Sequence, residues 1–155
     1  MRHEVALVDV CVNTLGVIGS RALWKADSLR ELYCTFAEPH AIGLTSIAGR
    51  LRPTGRLEPR GVAVRLDDPR VAAHTVLAPI APGLLESVGV LGSTELRLNV
   101  AHRVGLDRGS IALDGERELE FGPDDTITVT LAQDGPCVID VPAVLAASAA
   151  AWPTT

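Results

Sequence analysis

The stretch Glu38-Pro39-His40-Ala41-Ile42-Gly43-Leu44-Thr45-Ser46-Ile47-Ala48-Gly49 is where the chain most resembles a place for chemistry. Nearly every residue after His40 is small or apolar, yet hydroxyls stand at Thr45 and Ser46. Small residues let a backbone approach a ligand or another backbone closely. The stretch therefore reads either as a packed crossover between sheets, which its composition favours, or as a ligand loop offering N–H and hydroxyl donors. Arg50, Arg52, Arg56 and Arg60 follow at once, among Pro53, Gly55 and Pro59. Guanidinium forks match phosphate oxygens, so this loop would suit a phosphate, although charged loops are also simply solvated. Glu116, Glu118 and Glu120 share one strand face. Three hard oxygen ligands can bind a divalent cation, but a solvated outer face opposite Leu119 and Phe121 explains them better. His3, His40, His74 and His102 lack the spacing that puts two imidazoles on one metal.

Several chemistries are excluded by what is missing. The chain has no G-x-S-x-G elbow and no G-x-G-x-x-G turn. Lys25 is the lone lysine against thirteen arginines, and it follows Trp24 rather than the glycine of a phosphate loop. Cys11, Cys34 and Cys137 are odd in number and far apart, which argues against a disulfide framework or a zinc site. A formal charge of −5 and five aromatic residues argue against nucleic acid, which needs excess cations and stacking platforms. The longest mild apolar stretch, Val141 to Trp152, is shorter than the ~20 residues a membrane span needs. A soluble, cytoplasmic protein with reduced thiols is the expectation.

The elements that position these residues are mostly strands. Residues 4–12 form a β-branched run that predicts a buried strand. Asn13 to Arg21, with Gly16 and Gly19, reads as a turn. Asp27 or Ser28 is placed to cap a short helix through Leu32, and Tyr33 to Phe36 reads as a strand. From residue 61 the apolar period becomes two: Val62, Val64 and Leu66; Leu96, Leu98 and Val100; Leu119 and Phe121; Ile127, Val129 and Leu131. Alternation of this kind marks half-buried antiparallel strands. Gly109-Ser110, Asp114-Gly115, Gly122-Pro123-Asp124-Asp125 and Asp134-Gly135-Pro136 punctuate them as turns. Residues 142–151 read as a terminal helix with proline near its first position. The expectation is one mainly β, two-sheet, sandwich-like domain over 1–155, with eight to ten short strands and two or three short helices.

From His74 onward the chain resembles the C-terminal domain of the NAD kinase superfamily. The residues that carry this are Val76-Leu77-Ala78-Pro79-Ile80-Ala81-Pro82, Ser93-Thr94-Glu95-Leu96-Arg97-Leu98, Ser110-Ile111-Ala112-Leu113-Asp114-Gly115-Glu116 and the strand pair around Pro123-Asp124-Asp125. The first half is similar, more narrowly, to the ATP-NAD kinase-like branch related to acetoin-catabolism protein X. It does so through Gly19-Ser20-Arg21-Ala22-Leu23-Trp24 and Ala37 to Gly49. The resemblance implies a β-sandwich-like domain that holds nucleotides jointly with an α/β domain bearing Gly-Gly-Asp-Gly-Thr, and that oligomerises through its β part.

Carried over residue by residue, Val8-Asp9 stands where the family has an Asn-Glu pair, so only the acid remains. The loop from Glu38 to Gly49 matches the family's Thr-Pro-Thr-Gly-Ser-Thr-Ala-Tyr best at Pro39, Ser46 and Gly49, and lacks the tyrosine. The implied ligand set is Asp9, Arg21, Pro39, His40, Gly43, Thr45, Ser46 and Gly49. Asp9 would accept from a ribose or amide, the loop would donate N–H groups and hydroxyls, and Arg21 or an arginine of 50–60 would face phosphate. NAD(P) or ATP is the implied ligand. The implied partner is a second copy or a separate chain bearing Gly-Gly-Asp-Gly-Thr. That motif is absent here. Phosphoryl transfer rests on positioning and on stabilising a charged phosphoryl group, so this chain is not expected to phosphorylate NAD alone. A structural or oligomerisation module without ligand is the alternative. A small enzyme built on Asp9 and the Glu116, Glu118 and Glu120 face is the third reading.

Overall fold

A computed structural model describes residues 2–14 and 25–151. In chain order the elements are β1 (Asp9–Asn13), a 3-10 turn (Ala26–Ser28), β2 (Leu29–Cys34), α1 (Leu44–Leu51), β3 (Arg60–Asp67), β4 (His74–Ala81), β5 (Leu84–Arg97), β6 (Ala101–Arg103), β7 (Gly109–Leu113), β8 (Arg117–Phe121), β9 (Thr128–Thr130) and α2 (Val141–Ala150). Seven strands make one sheet in the order β4-β5-β3-β2-β1-β7-β8, every neighbouring pair antiparallel. β6 and β9 pair separately as a small second sheet. The mainly β, two-sheet architecture expected from the alternating apolar pattern is the one observed.

Alternation along the strands gives the large sheet two cores. On one face Cys11, Leu32, Cys34, Val62, Val64, Leu66, Ala78, Val88 and Val90 pack with Ile47 and Ala48 of α1. On the other, Val12, Tyr33, Leu96, Ile111, Leu113 and Phe121 pack with Val104 and Leu131, and Val129 of the small sheet closes over them. Ile47 is fully buried, and removing such a side chain from water contributes about 1.5–3 kcal/mol. Pro79 lies in β4, at the sheet edge, where the missing N–H of proline breaks no ladder.

Four expectations need correction. Gly109-Ser110 is not a turn but the start of β7, where it is paired with β8. The strand expected through Val100 ends at Arg97, because Asn99 takes a left-handed φ of 58° and turns the chain. Asp27 or Ser28 caps no helix through Leu32: the helical turn stops at Ser28, and Leu29 already belongs to β2. The reason is tertiary. β2 lies between β1 and β3, so its backbone is bonded on both sides, and the two ladders outweigh a local helical preference. The strand expected over 4–12 begins only at Asp9, because the N–H groups of Leu7 and Val8 donate to the Asp114 carboxylate instead of to a neighbouring strand. Most of the turn expected over Asn13–Arg21 lies outside the described residues.

Candidate ligand site

Asp114 organises the start of the chain. It and Gly115 take left-handed backbone angles, φ 54° and 70°, in the turn joining β7 to β8. Asp tolerates that region because its short side chain can bond locally. Here Oδ1 accepts from Leu7 N at 3.0 Å, Val8 N at 2.7 Å and Asp9 N at 3.1 Å, and Oδ2 accepts from Leu7 N at 2.9 Å. The Asp114 N–H donates back to the Asp9 carbonyl at 3.0 Å. Asp9 is thereby fixed at the head of β1, opposite Cys34.

The Asp9 side chain shares the α1-covered side of the sheet with Cys11 and Cys34. It is 8% exposed, and its Oδ1 has no hydrogen-bond partner among the described residues. Burial, and secondly the Asp114 charge, push its carboxyl up to about 6. A buried carboxylate without donors is costly as an anion, so Asp9 sits as an acceptor short of partners. The neighbouring thiols are poor nucleophiles: burial and then the charge of Asp9 push Cys11 up to about 12 and raise Cys34 well above the ordinary thiol range.

The 38–49 stretch builds α1 and its approach. Gly43, at φ 100°, precedes the helix and donates its N–H to Pro79 O at 2.9 Å. The Ser46 hydroxyl donates to Gly43 O at 2.6 Å and to Pro79 O at 3.2 Å, and Ser46 is fully buried. Thr45 is buried beside it. A Cβ on Gly49 would lie 2.5 Å from Glu38 O, so only glycine lets the helix close on that segment. Pro39 and His40 form the exposed turn ahead of the helix. His40 Nε2 lies 3.8 Å from Glu38 Oε2.

Gly43, Thr45, Ser46 and Gly49 are thus gathered in and before α1, on the side of the sheet that Asp9 also faces, with Pro39 and His40 leading in. Arg21 lies outside the described residues. Ser46 is committed to holding the β2–β3 connection together, a packing role, although the connection joins strands of one sheet rather than crossing between the two.

Two of the arginines of 50–60 are committed to carboxylates. Arg56 lies 3.4 Å from Glu38 and stacks over Phe36, 3.6 Å from the ring centre. Arg60 pairs with Glu58 at 2.6 Å and Glu95 at 3.3 Å. Glu116 and Glu120 are exposed. Among the described residues no three His, Cys, Asp or Glu side chains are grouped to hold a metal ion.

One cluster escaped sequence reasoning. On the opposite face of the sheet a groove of about 440 Å³ is lined by Glu31, Tyr33, Arg65, Ser93, Thr94 and His102, among others. The signal was the alternation of Glu31 and Tyr33 with Leu32 and Cys34, hidden by reading 27–32 as helix.

The fold and site define a mainly β domain with a sheet-bound helix and, at Asp9, a buried acid with an oxygen short of partners among the described residues. A family model described as the acetoin catabolism protein X C-terminal domain matches residues 1–134. The chain belongs to that family. It is 49% identical over 144 residues to acetoin catabolism protein X of Cupriavidus necator (strain H16), covering 93% of this chain and 40% of the relative. The chain therefore spans about 40% of the length of the curated relative it matches. No solved structure matches it.

Proposed function

We propose that this chain is the β-rich, C-terminal-type half of an ATP-NAD kinase-like protein. It binds NAD(P) or an adenine nucleotide jointly with an α/β half bearing Gly-Gly-Asp-Gly-Thr, and does not transfer phosphate alone. The observation that carries this reading is Asp9: a carboxylate 8% exposed, with one oxygen lacking a donor, at the position matching the family's acid. A ribose diol or an amide supplies the donors that this oxygen lacks, and a charge-assisted hydrogen bond of that kind is among the stronger ones. α1 faces the same side and brings its Gly43–Ser46 end to the sheet edge. The relative's greater length leaves room for the other half, and its name sets it in acetoin catabolism, the setting proposed for this chain too.

Calorimetric titration with NAD, NADP and ATP tests the reading. Saturable heat that Asp9→Asn weakens about tenfold, roughly 1.4 kcal/mol, supports it. No heat and no thermal shift at millimolar ligand refutes it. Recovery of a Gly-Gly-Asp-Gly-Thr-bearing chain from the native host with this protein as bait identifies the missing half.

A second reading, assembly with another copy, has its own observation. Leu77, Leu85 and Leu91 are 59%, 61% and 54% exposed on the β4–β5 hairpin, and all three fall on the face opposite Val76, Ala78 and Ile80. Apolar patches rimmed by polar groups mark interfaces. Light scattering on the wild type and on Leu85→Glu decides it: a strictly monomeric wild type removes this reading.

A further inference from the structure

The groove on the Tyr33 face is a built polar site separate from Asp9, because Val10 and Tyr33 face one side of the sheet and Asp9 and Cys34 the other. Its shape comes from small residues: Ala63 of β3 and Gly92 of β5 leave a depression between β2, β3, β5 and β6. Gly92 pairs with Arg65, whose Nη2 lies 4.0 Å from where a Cβ on Gly92 would stand, so the guanidinium extends over the vacant floor.

The hydrogen bonds inside the groove sort its groups into engaged and free. Glu31 is engaged through both oxygens: Oε2 accepts from the Tyr33 hydroxyl at 2.6 Å, and Oε1 accepts from Gly105 N at 2.7 Å. The Tyr33 proton is used in that contact, and burial, followed by the hydrogen bond to Glu31, holds the phenol in its neutral form. The His102 ring meets Tyr33 edge-on, centroids 6.3 Å apart, and its Nε2 is buried with no partner among the described residues. Arg65 and Arg103 line the same groove, and neither forms an ion pair among the described residues. The Thr94 hydroxyl lies along the β5 side, since Thr94 pairs with Ala63 on this face. What remains uncommitted is two guanidiniums and the Thr94 hydroxyl, beside an imidazole nitrogen without a partner among the described residues and around an acid whose oxygens are already occupied.

We propose that this groove binds a small organic phosphate, its phosphoryl oxygens held by Arg65, with His102 and Arg103, and its remaining atoms lying against Tyr33 and Ala63. Two guanidiniums match a phosphate dianion better than a singly charged carboxylate. A volume of about 440 Å³ exceeds what a bare phosphate fills and falls in the range of small-molecule sites.

The test follows the His102 ring signals by NMR while inorganic phosphate is titrated into the whole chain at constant ionic strength, with sodium acetate in a parallel series. The proposal expects saturable movement of the His102 signals with phosphate, at least tenfold weaker in Arg65→Gln, and unchanged in Asp9→Asn. Arg65 is solvent-exposed, so its replacement leaves the fold intact. His102→Gln, read by thermal shift with the same titrant, should lose most of the phosphate-dependent stabilisation. Failure to saturate, or equal affinity in Arg65→Gln, overturns the proposal. Acetate binding as tightly as phosphate also overturns it, and reassigns the groove to carboxylates.

Discussion

Replacing Asp9 by Asn should change how stability depends on pH, in a direction opposite to that of most carboxylates. Asp9 rises from an ordinary value of 3.8 to about 6 on folding, chiefly through burial. The folded state therefore holds the proton more tightly than the unfolded chain. Stability from this group is fully present below pH 3.8 and is lost as pH climbs through about 6. At 1.36 kcal/mol per unit, the rise corresponds to about 3 kcal/mol, all of it withdrawn by neutral pH. Asn keeps the shape and cannot ionise. The difference in unfolding free energy between Asp9→Asn and wild type should thus climb by about 3 kcal/mol from pH 4 to pH 7.5 in favour of the variant. Urea denaturation of both proteins across that range measures it, and taking the difference removes the contributions of other titrating groups. Parallel stability curves would show that Asp9 finds donors in solution, and the argument for an underpartnered acid would fall. A variant more stable at neutral pH yet poorer in nucleotide binding would fit the usual opposition of stability and function at a site.

Other outcomes follow from individual contacts. Gly49→Ala places a Cβ 2.5 Å from a backbone oxygen and should cost about 1–3 kcal/mol, read as a fall in the denaturation midpoint. Ser46→Ala strips two carbonyls of a hydroxyl donor in a fully buried place and should cost about 1–3 kcal/mol by the same assay. A thiol reagent at pH 8 should modify the exposed Cys137 rapidly while Cys11 and Cys34 stay protected until unfolding. Fast reaction at all three would contradict the burial of β1 and β2.

By itself the sequence determined that the chain is mainly β. Alternation in 62–66 and 127–131 depends only on which side of a pleated strand meets water, and that is a property of neighbouring residues. It also marked the 38–49 stretch as a place of close approach, since small residues in a run carry that meaning wherever they fold. The terminal helix was legible for the same local reason, with Pro142 near its start and Asp140 capping Ala143 N at 3.0 Å. Tertiary structure alone decided the rest. It made 29–32 a strand, because β1 and β3 supply ladder partners from 9–13 and 60–67. It gave Asp9 its raised pKa, because Asp114 lies more than a hundred residues away in the chain and burial has no local signature. It also assembled the Glu31, Tyr33, Arg65 and His102 groove from β2, β3 and β6. Residues so far apart in sequence meet only when strands choose their neighbours, and that choice belongs to the whole sheet.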